Sequence, residues 1–311
     1  MSTAHEPVMV DEIIALLCAD RAAPQRVIDG TLGAGGHTQA LIEAGAGHVL
    51  GLDVDTMALA IARENLQAVA DRVTIIHDSY TNMDAAADSL GWAQVDAILV
   101  DLGVSSMQLD IAERGFAFMQ DGPLDMRFDP SGVGATAADI VNTWDPDELA
   151  DIFRRYGEEQ HSRRIAQAIA THRPFQRTTE LAAVIADAVP DKRPHGKPVK
   201  RIHPATRVFQ ALRIVVNDEL GAVERLLPVA INRLRPGGRL AVISFHSLED
   251  RIVKHYFREA STEVQSPPGM MLDEKEAVVR LITRKPVVAA DDEIARNPRS
   301  RSAKLRVVEK L

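Results

Sequence analysis

The sequence predicts an α/β protein: a Rossmann-like, mostly parallel sheet with a helical domain inserted between its fourth and fifth strands. Three observations predict it. Short apolar runs alternate with helical stretches through the first third; that rhythm breaks after about residue 112; and strand-like sequence resumes near residue 239. The four early runs are Val27-Ile28, His48 to Leu52, Val73 to Ile76 and Ala97 to Val100. They are closed by or lead into Asp29, Asp53, Asp78 and Asp101, at the carboxyl ends where open α/β sheets collect ligands. The insertion begins where the punctuation of Gly122-Pro123-Leu124-Asp125 gives way to Ala-rich, charged, helical sequence through about residue 190. Leu234-Arg235-Pro236-Gly237-Gly238 reads as a helix-ending turn that opens the fifth strand, Arg239 to Ser244. Val278 to Thr283 and Leu305 to Val308 are further strand candidates. The expected boundaries are therefore 1–112 and 209–311 for the sheet domain and 113–208 for the insertion.

With 46% apolar and 26% charged residues over 311 positions, the chain can bury a large core. One cysteine, Cys18, leaves no internal disulfide, and the N-terminal residues show no secretory pattern. No apolar run approaches the length of a bilayer span, so the expectation is a cytoplasmic protein without a membrane partner. A formal charge of −8 argues against a generic polyanion binder, but two local stretches are basic, Lys192 to Arg201 and Arg296 to Arg306.

Asp29-Gly30-Thr31-Leu32-Gly33-Ala34-Gly35-Gly36-His37 follows the first strand and precedes a helix expected over Thr38 to Glu43. Glycine at Gly33 and Gly35 lets the backbone turn tightly and approach a ligand. A dinucleotide fingerprint would place its third glycine at Thr38, which argues against a nicotinamide-dependent oxidoreductase. The spacing Asp29-x-x-x-Gly33-x-Gly35 resembles the first motif of S-adenosylmethionine-dependent methyltransferases, whose cofactor carries a sulfonium and an α-amino group and so gains from a nearby carboxylate. Asp53, about twenty residues further on, suits the ribose hydroxyls, with Asp55 as a competitor. Tyr80 follows the third strand, where adenine would lie, although an aromatic there also reads as ordinary packing.

Asp101 ends the fourth strand, the place from which a carboxylate can accept the hydrogens of an exocyclic amine and stabilise positive charge developing on its nitrogen. The bland alternative is a carboxylate that caps a turn or holds cofactor only. Phe116, Phe118, Phe128 and Phe245 are candidate base platforms in a chain only 4% aromatic; they also read as cement between insertion and sheet, for Phe116 and Phe118 at least as readily, and Phe245 is the better candidate. His246 is expected to line the substrate mouth and His37 to cap the cofactor helix. A hydrolase is rejected, since no G-x-S-x-G elbow occurs, and the histidines show no metal spacing, so no metal is expected.

Taken together, His5-Glu6-Pro7-Val8, the stretch from Asp29 to His37, Asp101-Leu102-Gly103-Val104-Ser105-Ser106, Gly122-Pro123-Leu124-Asp125-Met126-Arg127, His203-Pro204-Ala205-Thr206-Arg207 and Ser244-Phe245-His246-Ser247-Leu248-Glu249-Asp250-Arg251 resemble the bacterial small-subunit ribosomal RNA cytosine-N4-methyltransferases of the MraW type, from end to end. The resemblance implies S-adenosylmethionine as donor and a cytidine in the decoding region of 16S ribosomal RNA, within the small subunit, as substrate. It implies that Gly35, Gly36 and His37 contact the methionine part, that Asp53 holds the ribose, and that Asp101 and Gln108 complete the pocket. Tyr80 stands where Phe is expected and Met107 where Pro is common, which leaves the backbone before Gln108 less constrained. In that light Lys197, Lys200, Arg201 and Arg207 are expected to contact RNA phosphates, joined by the run around Arg299 and Arg301. A methyltransferase for another amine and an RNA-binding assembly factor with a vestigial pocket are the competing readings; self-association is left open.

Overall fold

The computed structural model describes residues 7–18, 22–189, 203–263 and 276–311. Lys197, Lys200 and Arg201, with the rest of the first basic stretch, and His5-Glu6 lie outside the described residues. The chain divides into two compact units, Met1–Gly103 with Leu220–Leu311, and Val104–Glu219.

The first unit opens with α1 (Val10–Leu17) and then alternates β1 (Arg26–Asp29), α2 (Gly36–Glu43), β2 (His48–Asp53), α3 (Thr56–Asn65), β3 (Val73–His77), α4 (Met83–Ser89) and β4 (Val95–Asp101). Each strand pairs in parallel with its neighbours, and Val27, Ile28, Val49, Leu50, Ile98 and Leu99 are buried. This is why they read as short continuous apolar runs rather than as alternating ones.

The second unit is helical: α5 (Ser106–Asp110), α6 (Ala137–Thr143), α7 (Pro146–Arg155), α8 (Ser162–Thr171), α9 (Thr178–Ala188) and α10 (Pro204–Val216). Leu149, Ile152 and Phe153 of α7 recur at helical spacing and bury with Ile165 and Ile169 of α8 and Leu181 and Ile185 of α9. Enclosing Phe153 completely is worth about 1.5–3 kcal/mol. The unit extends past the expected 113–208 at both ends. Val104 and Leu109 pack on its core, and so do Phe209, Ala211 and Leu212, because α10 continues its buried face to Val216.

The chain returns to the first unit through α11 (Glu219–Arg233), followed by β5 (Leu234–Ser244), α12 (Ser247–Ala260), β6 (Val279–Leu281), α13 (Asp291–Arg296) and β7 (Lys304–Lys310). The sheet order is β3-β2-β1-β4-β5-β7-β6, with β5 parallel to β4 and β7 antiparallel to both β5 and β6. Leu234 to Gly238, expected as a turn, belongs to β5: Leu234 pairs with Val95 and Arg239 with Ala97, so four residues bulge opposite Asp96. Gly237 supplies the positive φ (77°) that the bulge needs, and Arg235 is ion-paired with Asp96. The chain runs outward from β1 to β3 on one side and then restarts at β4 on the other, so the crevice between the ends of β1 and β4 is the topological switch point where such sheets bind ligands. No described helix is long and apolar enough to cross a membrane.

Candidate active site

The switch point is built on Asp29. Its carboxylate is wholly enclosed, with Oδ1 accepting from the Thr31 N–H (3.2 Å) and Oδ2 from the Thr38 hydroxyl (2.7 Å). Burial pushes its pKa up, offset by His37 and by the Thr38 and Thr31 hydrogen bonds. Both carboxylate oxygens of Asp29 are thus engaged by the turn and the helix that follow β1. It ties the turn after β1 to α2 and contributes its field. The Thr31 hydroxyl in turn accepts from the Asp101 N–H (2.7 Å), locking the end of β4 to the same turn. Neither threonine stood out in the sequence, although an aspartate two residues before a threonine is the spacing of an Asx turn.

The glycine turn has the conformation its residues predict. Gly33 and Gly35 lie at φ 52° and 86°, and a Cβ on Gly35 would sit 2.8 Å from Leu66 Cδ1. Gly35 is also the N-cap of α2 and offers no side-chain oxygen, so the first-turn N–H groups have no side-chain cap. The helix starts at Gly36, two residues before the expected Thr38. His37 does not cap it: its Nε2 bonds the Val8 carbonyl (2.8 Å) and fastens the segment before α1 over the turn. A Cβ on Gly36 would strike Pro7 Cγ at 2.9 Å, so the same segment requires glycine there.

Asp53 ends β2 beside this turn. Its Oδ2 accepts from the Gly33 N–H (2.8 Å) and its Oδ1 from the Asp55 N–H (2.9 Å), yet burial raises its pKa to about 6. Asp55, the alternative for that role, caps α3, its Oδ1 accepting from the Met57 and Ala58 N–H groups. Tyr80 follows β3 and is half-buried, with its Cβ 3.1 Å from where a Cβ on Gly30 would stand, so it lies beside the start of the same turn.

Asp101 ends β4. Its Oδ1 is buried without a hydrogen-bond partner, and burial raises its pKa to about 7, with His37 opposing the rise and Asp29 and Glu249 adding to it. Across the register from Asp101 stands Ile243 of β5, which leads to Phe245 and His246. Glu249, only 1% exposed, organises that corner: its Oε2 accepts from the backbone N–H of Phe245 (2.9 Å) and of His246 (3.3 Å). His246 caps α12, its Nδ1 accepting from the Glu249 N–H (3.4 Å), and Phe245 packs against the sheet's apolar layer. Sequence reading placed Phe245 and His246 here but gave Glu249 no role; the signal was the i, i+3 spacing of a capping box with histidine in the cap position.

Other expected residues fall elsewhere. Gln108 lies in the helical unit, where its Oε1 accepts from the Ser105 N–H and closes the capping box of α5. Arg207 is exposed in the same unit, with Nη1 3.8 Å from Glu159. Phe116 stacks on Phe128, and Phe118 on His203, within that unit, and all three phenylalanines pack on its own core. In the second basic run, Arg306 and Lys304 are paired with Asp250 at 2.7 and 3.3 Å.

The donor set fits a nucleoside cofactor that carries positive charge: carboxyls at the ends of β1, β2 and β4 all have raised pKa values, and the orphaned Asp101 oxygen faces no protein donor. With a glycine turn at the switch point of a mostly parallel sheet, these features fit an S-adenosylmethionine-dependent methyltransferase, the class that family membership shows. The chain belongs to the MraW methylase family, whose model matches residues 2–311. A relative from Nitratidesulfovibrio vulgaris, named ribosomal RNA small subunit methyltransferase H, is 48% identical and aligned over 100% of this chain and 86% of its own. A relative of the same name from Heliobacterium mobile is 47% identical, with 99% of each chain covered. Among solved structures, an rRNA methylase from Streptococcus thermophilus aligns over 97% of this chain and 95% of its own, with a TM-score of 0.43 and 12% identity.

Proposed function

We propose that this protein transfers a methyl group from S-adenosylmethionine to N4 of a cytidine in the decoding region of 16S ribosomal RNA within the small ribosomal subunit. Family membership and the names of its relatives support the ribosomal substrate. The observation that carries the amine as acceptor is the buried, unpartnered Oδ1 of Asp101 at the end of β4. S-adenosylmethionine supplies an electrophilic methyl on a positively charged sulfur. Asp53 holds the ribose, Gly33, Gly35, Gly36 and His37 surround the methionine part, and Tyr80 lies along the adenine.

Asp101 Oδ1 accepts a hydrogen of the exocyclic amine, whose lone pair is otherwise conjugated into the ring. As the new N–C bond forms and the methyl–sulfur bond breaks, nitrogen becomes positive, and an ionised Asp101 gains more from that charge than from the neutral amine; the excess amine proton then leaves through Asp101 Oδ1. This is transition-state stabilisation, not prior deprotonation. Phe245 offers a π face to the unstacked base. Lys197, Lys200, Arg201 and Arg207 meet phosphates, which position the RNA without reading it, so selection of one cytidine rests on the folded shape of the subunit.

The experiment is to incubate the purified protein with S-adenosylmethionine and small subunits lacking the modification, digest the RNA and identify the methylated nucleoside by mass spectrometry. N4-methylcytidine is expected. Another methylated nucleoside overturns the target, and no transfer despite measured cofactor binding overturns the reaction.

A further inference from the structure

Among the described residues, two buried side-chain polar atoms have no hydrogen-bond partner, Asp101 Oδ1 and His246 Nε2. Such atoms are costly, and in a native structure each calls for an explanation. Asp101 ends β4 and His246 follows the end of its neighbour β5, and the loops after the two strands touch: a Cβ on Gly103 would lie 3.6 Å from Phe245 Cδ2 and 4.0 Å from Glu249 Oε1.

Their chemistry is complementary. His246 Nδ1 accepts the Glu249 N–H, so the ring's proton sits on Nε2. That N–H lies 3.2 Å from Glu249 Oε1 without forming a hydrogen bond to it, and the side chain is 12% exposed. Asp101 thus presents an acceptor and His246 a donor. Cytosine presents the inverse pair on adjacent positions of its Watson–Crick edge, the N4 amine as donor and N3 as acceptor. Uracil and guanine present a carbonyl beside a ring N–H and fit neither atom.

Resting on the function proposed above, we infer that the His246 Nε2–H reads N3 of the target base while Asp101 takes the amine, and that Glu249 is the positioning residue that fixes the ring. Glu249 does so from three sides, by donating its own N–H to Nδ1 and by accepting the backbone N–H groups of Phe245 and His246. A neutral imidazole suits the task, because a cationic donor on N3 would draw the lone pair away from N4.

Two substitutions separate the donor from the cap. His246→Asn keeps an acceptor near Nδ1, a favourable N-cap, and deletes the donor; His246→Gln places an amide N–H near Nε2 and gives up the cap. With the full-length protein and unmodified small subunits, H246N is expected to lower kcat/KM roughly tenfold at unchanged S-adenosylmethionine affinity, and H246Q to recover most of that loss. On subunits reconstituted with 3-deazacytidine at the target, the wild type is expected to fall to the level of H246N and H246N to fall no further. Full activity of H246N, or an equal loss by H246N on both substrates, overturns the inference and leaves the proposed function standing. If the wild type makes no N4-methylcytidine on unmodified subunits, the function reading fails and this inference falls with it.

Discussion

Replacing Asp101 by Asn should abolish most activity while leaving the fold in place, and the structure sets the size of the effect. The backbone at this position is held by the Asp101 N–H to Thr31 Oγ1 bond, which the substitution keeps. Asn preserves shape and one accepting oxygen, so the substitution removes the charge and replaces the second oxygen with an NH2 donor. A preorganised group aimed at charge that develops in the transition state is worth about 10²–10³ in kcat, or about 2.7–4 kcal/mol. The carboxyl, pushed up to about 7 by burial and by Asp29 and Glu249 against the opposing His37, must ionise to act. Single-turnover transfer by the wild type should therefore rise about tenfold per pH unit below 7 and level off above it, whereas D101N should be slow and lack that limb.

Stability runs the other way. Because the folded pKa lies above the unfolded value of 3.8, the folded state binds the proton more tightly, and stability falls as pH rises from about 4 to about 7. D101N escapes this loss, so its Tm advantage over the wild type should grow across that window and stay constant above it. Transfer by D101N within threefold of wild type at pH 8, or a wild-type rate flat through pH 7, would refute the reasoning.

Glu249→Gln removes one of the negative neighbours that raise Asp101, so the acid limb of the rate profile should move to lower pH. Gly35→Ala forces a side chain into φ 86° and against Leu66, costing about 1–2 kcal/mol for the backbone alone; thermal denaturation should show a lowered Tm and calorimetry a weakened S-adenosylmethionine complex. Asp55→Ala should cost about 1 kcal/mol of stability through the lost α3 cap yet leave cofactor affinity unchanged, while Asp53→Asn should weaken the cofactor without a matching change in Tm.

The sheet was legible because strands buried on both faces announce themselves as apolar runs, and because the Gly, Pro and Asp punctuation marks where they end. The start of β5 was not, since Pro236-Gly237-Gly238 has the composition of a turn and becomes a bulge only because β4 lies alongside to pair Leu234 and Arg239. Within the candidate site, residue types pointed to the strand ends but could not divide labour among them. Asp29, Asp53 and Asp55 look alike in sequence; the first is sealed by Thr31 and Thr38, the second accepts from the Gly33 N–H of the glycine turn, and the third caps a helix. His37 likewise sits where a capping residue is expected, and only its contact with Val8, twenty-nine positions away, reveals a different task. Tertiary partners of that kind leave no mark in local spacing.

The acidic residues of the first unit show how the fold separates support from chemistry. A carboxylate removed from water is costly unless donors surround it. Asp29 has two such donors and Asp53 two, each from the turn or helix it holds, so their charges are tied to structure. Asp101 is locked through its backbone instead, and its Oδ1 is left without a donor in an environment that already raises its pKa to about 7. A carboxyl retained only to cap a turn would have spent that oxygen on a nearby N–H, as Asp55 does on Met57 and Ala58. Rigid backbone and an unspent side-chain acceptor together form the arrangement that the proposed amine methylation would use, because the group neither moves nor breaks a bond when positive charge appears before it.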